Sequence, residues 1–215
     1  MFKAGYLVAL LGFAVAVGLA GGCTKPMDMD SFHVRGGLTY APPPNGYQPF
    51  SGRGVRYYEN GQKKEEWEYK DGVKLGPTTS WYESGQKKTE GNVKDGWQHG
   101  PGTFWYESGQ KKSESNWKDG RMYGPATVWY ESGQKESEGE FKDDKKHGPW
   151  TTWYESGQKK AERNWKDGVM HGPVTGWYEN GQKNWESEYK DYKNHGPWTA
   201  WYENGQKKSE GNWKD

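Results

Sequence analysis

The sequence predicts an all-β fold: a repeat array of seven β-hairpins that form an elongated, twisted, antiparallel single-layer sheet. The first observation is a fixed period, because one tyrosine recurs without any insertion at Tyr58, Tyr82, Tyr106, Tyr130, Tyr154, Tyr178 and Tyr202. The second is composition, since aromatic residues make up 16 % of the chain while all hydrophobic types together reach only 31 %. These tyrosines are 24 residues apart, and a unit of 24 residues cannot bury a core alone, so its copies must stack. The core that they share must be thin and rich in rings.

Each repeat predicts one hairpin, and the fifth copy shows why. Residues 150–155 are rich in β-branched and aromatic types, which favours a strand. Ser156-Gly157 follows, and other copies have Asn-Gly there, as at Asn60-Gly61. We therefore expect a two-residue type I′ turn, in which both residues have positive φ. Residues 158–166 predict the return strand, and the second turn is expected to span Asp167 to Pro173.

The expected turn also predicts which side chains share a face. With a two-residue loop, Trp105 faces Lys112 and Thr103 faces Glu114, and neighbours along a strand alternate between faces. One face, here called the inner face, then collects rings opposite small residues, which suits close packing: Phe104, Tyr106, Ser113, Ser115 and Trp117. The opposite, outer face is polar except for one tryptophan per repeat. We call these residues the Trp column: Trp81, Trp105, Trp129, Trp153, Trp177 and Trp201.

The Trp column is the candidate binding surface, and the sequence leaves two interpretations open. In the structural one, each ring simply lies over the lysine stem opposite it. In the functional one, the rings form an exposed ladder. One repeat advances two strands, so successive rings would lie roughly 9.5 Å apart. That spacing is close to a disaccharide unit of an extended glycan.

The N-terminus predicts export and lipid anchoring. A short basic start precedes the apolar stretch Tyr6 to Ala20, which is too short for a membrane span. Leu19-Ala20-Gly21-Gly22-Cys23 resembles a bacterial lipobox. Cleavage would remove a signal peptide, residues 1–22, and lipidated Cys23 would hold the chain on a membrane. The alternative is ordinary secretory cleavage that leaves Cys23 as a free thiol.

The lipobox also has implications for the segments that follow. In Gram-negative lipoproteins an Asp after the cysteine usually marks retention in the inner membrane. This chain has Thr24 there, so the resemblance implies an outer-membrane lipoprotein that faces the periplasm or the cell surface. Residues 23–54 include Pro42-Pro43-Pro44 and predict a semi-rigid tether. Residues 55–215 form the repeat array.

Several kinds of chemistry are not expected. Lys and Arg total 30 against 29 Asp and Glu, which gives no electrostatic footprint for nucleic acid. Four histidines occupy equivalent positions, but copies roughly 9.5 Å apart cannot share one metal ion. We expect them to bond to turn backbone instead: His99, His147, His171 and His195. The repeated glutamates, such as Glu107 and Glu131, have like surroundings, so no catalytic acid pair is predicted. The chain is thus expected to be no enzyme and to need no cofactor.

The repeat motifs resemble a known family. Tyr-Glu-Asn-Gly-Gln-Lys-Lys, Lys-Asp-Gly and His-Gly-Pro are similar to elements of the bacterial MORN-repeat variant, which occurs in YwqK-like toxin–antitoxin antitoxins. MORN repeats are β-hairpin arrays used for protein or lipid contact. The resemblance implies a non-enzymatic scaffold, here lipid-anchored in the cell envelope, that binds a protein, glycan or lipid. The alternative is an antitoxin-like protein that neutralises a toxin by protein–protein binding.

Two further expectations concern assembly and extent. A homodimer could cover the apolar inner face. The chain ends at Trp213-Lys214-Asp215, which fits either a completed last hairpin or a truncated array.

Overall fold

The computed structural model describes residues 27–29, 33–35, 38–41 and 48–213. The signal peptide and Cys23 lie outside the described residues. The chain divides into two compact units, Met1–Trp97 and Gln98–Asp215. Within the described ranges, no helix is long and apolar enough to cross a membrane.

The first unit contains an antiparallel sheet and a small separate sheet. Its strands are β1 (Met27–Asp28), β2 (His33–Arg35), β3 (Leu38–Ala41), β4 (Gln48–Pro49), β5 (Gly52–Tyr57), β6 (Lys63–Lys70), β7 (Val73–Trp81) and β8 (Lys87–Lys94). Strands β5 to β8 are antiparallel neighbours in chain order. Strand β1 pairs with β5 in parallel, while β2, β3 and β4 form the small sheet.

The second unit continues the same pattern of paired strands. After β9 (Trp97–Gln98), its strands are β10 (Gly100–Trp105), β11 (Lys111–Lys118), β12 (Arg121–Trp129), β13 (Lys135–Lys142), β14 (Lys145–Trp153), β15 (Lys159–Lys166), β16 (Val169–Trp177), β17 (Lys183–Lys190), β18 (Lys193–Trp201) and β19 (Lys207–Trp213). Strands β10 to β19 are antiparallel neighbours in chain order. The prediction of an all-β array of repeat hairpins is confirmed.

The first turn of each repeat has three residues, so the predicted two-residue turn is wrong. In the third repeat, Tyr106 N–H donates to Gln110 O at 2.8 Å and Gly109 N–H donates to Tyr106 O at 2.9 Å. Gly109 has φ of 88°, which gives the loop its left-handed residue. This is the pattern of a turn followed by a glycine bulge. Where asparagine precedes the glycine, its side chain accepts a hydrogen bond within the loop: Gln62 N–H donates to Asn60 Oδ1 at 2.9 Å.

The two-residue turn occurs at Asp-Gly instead. Asp167 and Gly168 both have positive φ, 51° and 85°, and the flanking Lys166 and Val169 already pair. Strand β16 therefore starts directly after Gly168, and the predicted turn from Asp167 to Pro173 is wrong. Aspartate tolerates the left-handed region because its short polar side chain bonds locally.

Bulges also change the predicted register. Thr103 faces Glu114 as expected, but Trp105 pairs with Lys111 rather than Lys112, because β11 has a bulge beside Trp105. A second irregularity lies at the His-Gly-Pro motif. In β16, residues 171–173 lie opposite Asn164 alone, and Asn164 Nδ2 donates to Pro173 O at 3.1 Å.

The core of the second unit lies on the inner face. Its buried apolar residues are Ala126, Trp150, Ala161 and Val174. Rings pack directly over glycines, since a Cβ built on Gly139 would meet Trp150 Cε3 at 2.1 Å. Phe141 meets the same Trp150 ring edge-on, with centroids 5.2 Å apart. The predicted arrangement of rings over small residues is therefore present on this face.

The core of the first unit includes residues outside the repeats. Met29 and Phe50 are buried against Tyr69, and the Phe50 and Tyr69 ring centroids lie 5.7 Å apart. Val55, on the other face of β5, is fully buried. These contacts give parts of the segment 23–54 a packing role beside the tether role predicted for it.

Candidate functional site

The Trp column lies at strand ends. Each member is the last residue of β7, β10, β12, β14, β16 or β18, and each is half-buried. The next residue is the period tyrosine, which opens the three-residue turn. The regular hairpin geometry therefore places every ring of the column in the same surroundings.

A lysine ammonium lies over each of five rings in this column. The lysine belongs to the return strand of the preceding repeat, and its Nζ lies 5.3 to 5.7 Å from the ring centroid. The pairs are Lys63 with Trp81, Lys111 with Trp129, Lys135 with Trp153, Lys159 with Trp177 and Lys183 with Trp201. This geometry favours the structural interpretation, although the lysine comes from a different repeat than expected.

The same lysines form ion pairs on the outer face. Lys159 Nζ lies 2.6 Å from Glu162 Oε1, and Lys183 Nζ lies 2.7 Å from Glu186 Oε2. Such exposed pairs contribute little stability by themselves. Their effect is to hold each ammonium above its ring, so the outer face repeats one unit of ring, cation and carboxylate.

The period tyrosines tie neighbouring repeats together beneath this surface. Tyr154 Oη donates to the backbone oxygen of Trp177 at 2.9 Å, and Tyr178 makes the same bond to Trp201. Burial, followed by the carboxylates of Glu136, Glu155 and Glu179, raises the pKa of Tyr130 above its usual value. The Tyr130 hydroxyl therefore stays protonated in the neutral range, and it donates to the backbone oxygen of Trp153 at 2.8 Å.

Three of the four repeated histidines lie beside an aspartate carboxylate: His99, His147 and His171. His99 Nδ1 lies 3.3 Å from Asp119 Oδ1, and His147 Nδ1 lies 3.5 Å from Asp167 Oδ1. Asp119 and Asp167 each belong to the next Asp-Gly turn. For His99 the expected backbone partner is therefore corrected to a carboxylate, whereas His147 Nδ1 has no hydrogen-bond partner within the described residues. Among the residues that the structure describes, no group of three or more His, Cys, Asp or Glu side chains could hold a metal ion.

A second cluster lies on the inner face and breaks the repeat. Lys146 Nζ lies 4.1 Å from the Trp150 ring centroid and 5.0 Å from that of Trp165. The Arg163 guanidinium lies 5.9 Å from the ring centroid of Trp185. Neither cation is among the residues predicted from the sequence. A comparison of equivalent positions across the repeats would have found Lys146, because the fourth and sixth repeats have Met122 and Met170 where the fifth has Lys146.

Comparison with known proteins gives a family and no individual relative. No curated protein matches the chain. The model of the MORN repeat variant matches seven consecutive segments: 51–71, 74–95, 98–119, 122–143, 146–167, 170–191 and 194–215. Each segment holds most or all of the outgoing strand, the three-residue turn and the return strand of one hairpin, and ends at the aspartate that follows the return strand. The chain therefore belongs to the MORN repeat variant family.

Proposed function

We propose that this repeat scaffold is an exported, lipid-anchored, non-enzymatic binding protein of the cell envelope. The observation that carries the proposal is the repeated outer face. The same ring, cation and carboxylate recur in successive repeats, so many equal contacts are available to one extended partner. Repeat arrays commonly use such surfaces for binding.

The surface also supports binding better than catalysis. Catalytic groups need surroundings that push their pKa values apart. We call the five lysines that lie over rings of the Trp column the capping lysines. Each is paired with the glutamate three residues later, as Lys135 is with Glu138 at 2.6 Å. Equal surroundings make equal carboxylates, which suits a multivalent contact whose strength grows with the number of repeats engaged.

Lipid anchoring is tested through Cys23. Cells that produce the wild-type chain and a Cys23→Ser variant are labelled with radioactive palmitate and separated into membrane and soluble fractions. We expect label and membrane association for the wild type, and neither for the variant. A soluble, unlabelled wild-type chain would reject the envelope proposal and favour the antitoxin-like alternative.

Binding through the Trp column is tested separately. Envelope extract is passed over the immobilised wild-type chain and over a Trp129→Ala/Trp153→Ala/Trp177→Ala variant. We expect the variant to lose most of the captured material. A Trp97→Ala variant is the control, because Trp97 is 63 % exposed and lies outside the column. Equal capture by all three proteins would exclude the Trp column as the binding surface.

A further inference from the structure

We propose that the inner face of the second unit binds an acidic polysaccharide around Lys146 and Arg163. The two cations would hold carboxylates of the polymer, and the rings of Trp165 and Trp185 would stack on its sugars. This inference deepens the binding function proposed above by naming a ligand class, and it places that ligand on the face opposite the Trp column.

The first argument is an excess of positive charge. Lys146 and Arg163 form no side-chain hydrogen bond or ion pair within the described residues, and their neighbours on this face are rings. Burial lowers the pKa of the Lys146 ammonium, and Arg163 lowers it further. A cation left without a carboxylate in partly dry surroundings gains strongly from an anionic ligand, because charge-assisted bonds strengthen as water is removed.

The corresponding cluster of the first unit shows the contrast. Lys74 lies 4.1 Å from the Trp67 ring centroid, the same distance as Lys146 from Trp150. Burial lowers the pKa of Lys74 as well, but the Glu65 carboxylate raises it. The first cluster thus contains its own anion, whereas the cluster of the second unit has none among the described residues.

The second argument is departure from the repeat. Met122 and Met170 occupy the position of Lys146 in the flanking repeats, and Ser115, Gly139 and Ser187 occupy the position of Arg163 in others. The fold therefore accepts uncharged side chains at both positions. Two cations that the packing does not require, placed near each other, indicate a ligand.

The third argument is the surface beside the cations. A groove of about 230 Å³ is bordered by Trp185, Tyr189, Trp198 and Trp213. Glu186 also borders it, but its carboxylate is paired with Lys183. Ser187 lines this groove and Trp165 lies beside Lys146, and the buried Ser187 Oγ and Trp165 Nε1 have no hydrogen-bond partner within the described part of the chain. Flat rings together with a few convergent polar groups are typical of ligand sites.

Other polyanions fit this surface less well. Nucleic acid requires many phosphate contacts, and two cations on a chain of net charge +1 cannot supply them. Recognition of anionic membranes uses clusters of four or more basic residues. An extended acidic peptide would pair with a free strand edge, but the cluster lies on β14 and β15, whose neighbours on both sides are paired. Sugar rings with carboxylates match a face made of rings and isolated cations.

The test is calorimetric titration of the purified full-length chain with polygalacturonate. Its methyl-esterified form, which has the same backbone without the charges, is the ligand control. We expect at least tenfold tighter binding of the acidic form. A Lys146→Gln/Arg163→Gln variant should lose at least tenfold in affinity, while Lys74→Gln, the matched change in the balanced cluster, should bind as the wild type does.

Three results would overturn the inference: equal binding of both polymers, unchanged affinity of the double variant, or equally tight binding of poly-glutamate, which would identify an acidic peptide as the ligand. If the double variant does not fold, the inference is tested by chemical modification of lysine amines in the wild-type chain, with and without the acidic polymer. The acidic polymer should protect Lys146 and leave the exposed Lys142 reactive, and modification of Lys146 at an unchanged rate would refute the site. The Cys23 labelling is independent, so the proposed envelope function can survive failure of this titration.

Discussion

At the residue scale, packing in this protein depends on aromatic rings that lie over glycines, where no side chain stands in the way. Gly139 lies beneath Trp150, Gly176 beneath Trp185 and Gly211 beneath Trp198. In each case a Cβ on the glycine would fall within 2.7 Å of an indole atom. A thin sheet has no second layer to fill, so large rings gain burial by covering the backbone of a neighbouring strand.

Replacing Gly139 tests this contact. The added methyl of Gly139→Ala must displace the Trp150 ring, so we expect a loss of about 1–3 kcal/mol in the free energy of unfolding. In a Trp150→Val background the obstacle is gone, and the two changes should couple by at least about 0.5 kcal/mol. Urea unfolding of the four proteins measures both quantities.

A matched change separates packing from backbone strain. Gly133 has φ of 89°, and the nearest atom to a Cβ there is Gln110 Oε1 at 3.9 Å. Gly133→Ala should therefore cost about 1–2 kcal/mol through backbone conformation alone. That cost should be the same in the wild-type background and in the Trp150→Val background. Equal coupling of both glycines to Trp150 would contradict the packing account.

At the element scale, each hairpin is joined to the next by more than the strand ladder. The period tyrosine follows an outgoing strand and donates to the carbonyl of the tryptophan that ends the outgoing strand of the next repeat, as Tyr154 does to Trp177. The bond crosses the intervening return strand and fixes two turns at equal height. It thereby explains why tyrosine, and no other ring, recurs at this position of the repeat.

Removing one such hydroxyl should loosen two repeats. Tyr154→Phe keeps the ring and deletes the donor to Trp177, so we expect a loss of about 0.5–1.5 kcal/mol in the free energy of unfolding. Tyr202→Phe is the control, because the Tyr202 hydroxyl makes no hydrogen bond within the described residues. Hydrogen exchange should show faster opening around Trp177 in the first variant only. Equal destabilisation by both changes would show that the hydrogen bond to Trp177 is not the cause of the loss.

The sequence predicts the strands of this fold better than the turns that connect them. The exact period and the alternation of rings with small residues predict the hairpin array and the inner face. The two turn types are exchanged relative to the prediction, because Asn-Gly and Asp-Gly are equally good type I′ signals. The hydrogen bond from Tyr106 to Gln110, which decides between them, appears only when the strands pair. The inner-face cations escape prediction along the chain, because they stand out only when equivalent positions of the repeats are compared.

At the scale of the whole molecule, basic and acidic residues are nearly equal in number, but they are not paired equally on the two faces of the sheet. The formal net charge is +1. On the outer face the capping lysines pair with glutamates three residues away. In the second unit, Lys146 and Arg163 lie against inner-face rings, and neither forms an ion pair within the described residues. This inner-face cluster therefore holds positive charge that is not paired with a carboxylate among the described residues, unlike the lysines that lie over the Trp column.

The pH dependence of stability should reveal this imbalance. Because the pKa of Lys146 is lowered from 10.5 in the folded chain, the unfolded chain binds more protons between the folded pKa and 10.5. Stability from this group therefore rises with pH across that window. Relative to Lys146→Met, the wild type should gain as pH approaches 10.5, by less than about 1 kcal/mol because the side chain is partly exposed. Other lysines and tyrosines titrate alike in both proteins, so the difference in urea midpoints isolates Lys146.

A shift in the opposite direction would mean that the Trp150 and Trp165 rings stabilise the ammonium more than burial destabilises it, and that the cation is part of the packing. A shift in the expected direction would mean that the folded chain keeps this charge at a cost to its own stability, as a binding residue does.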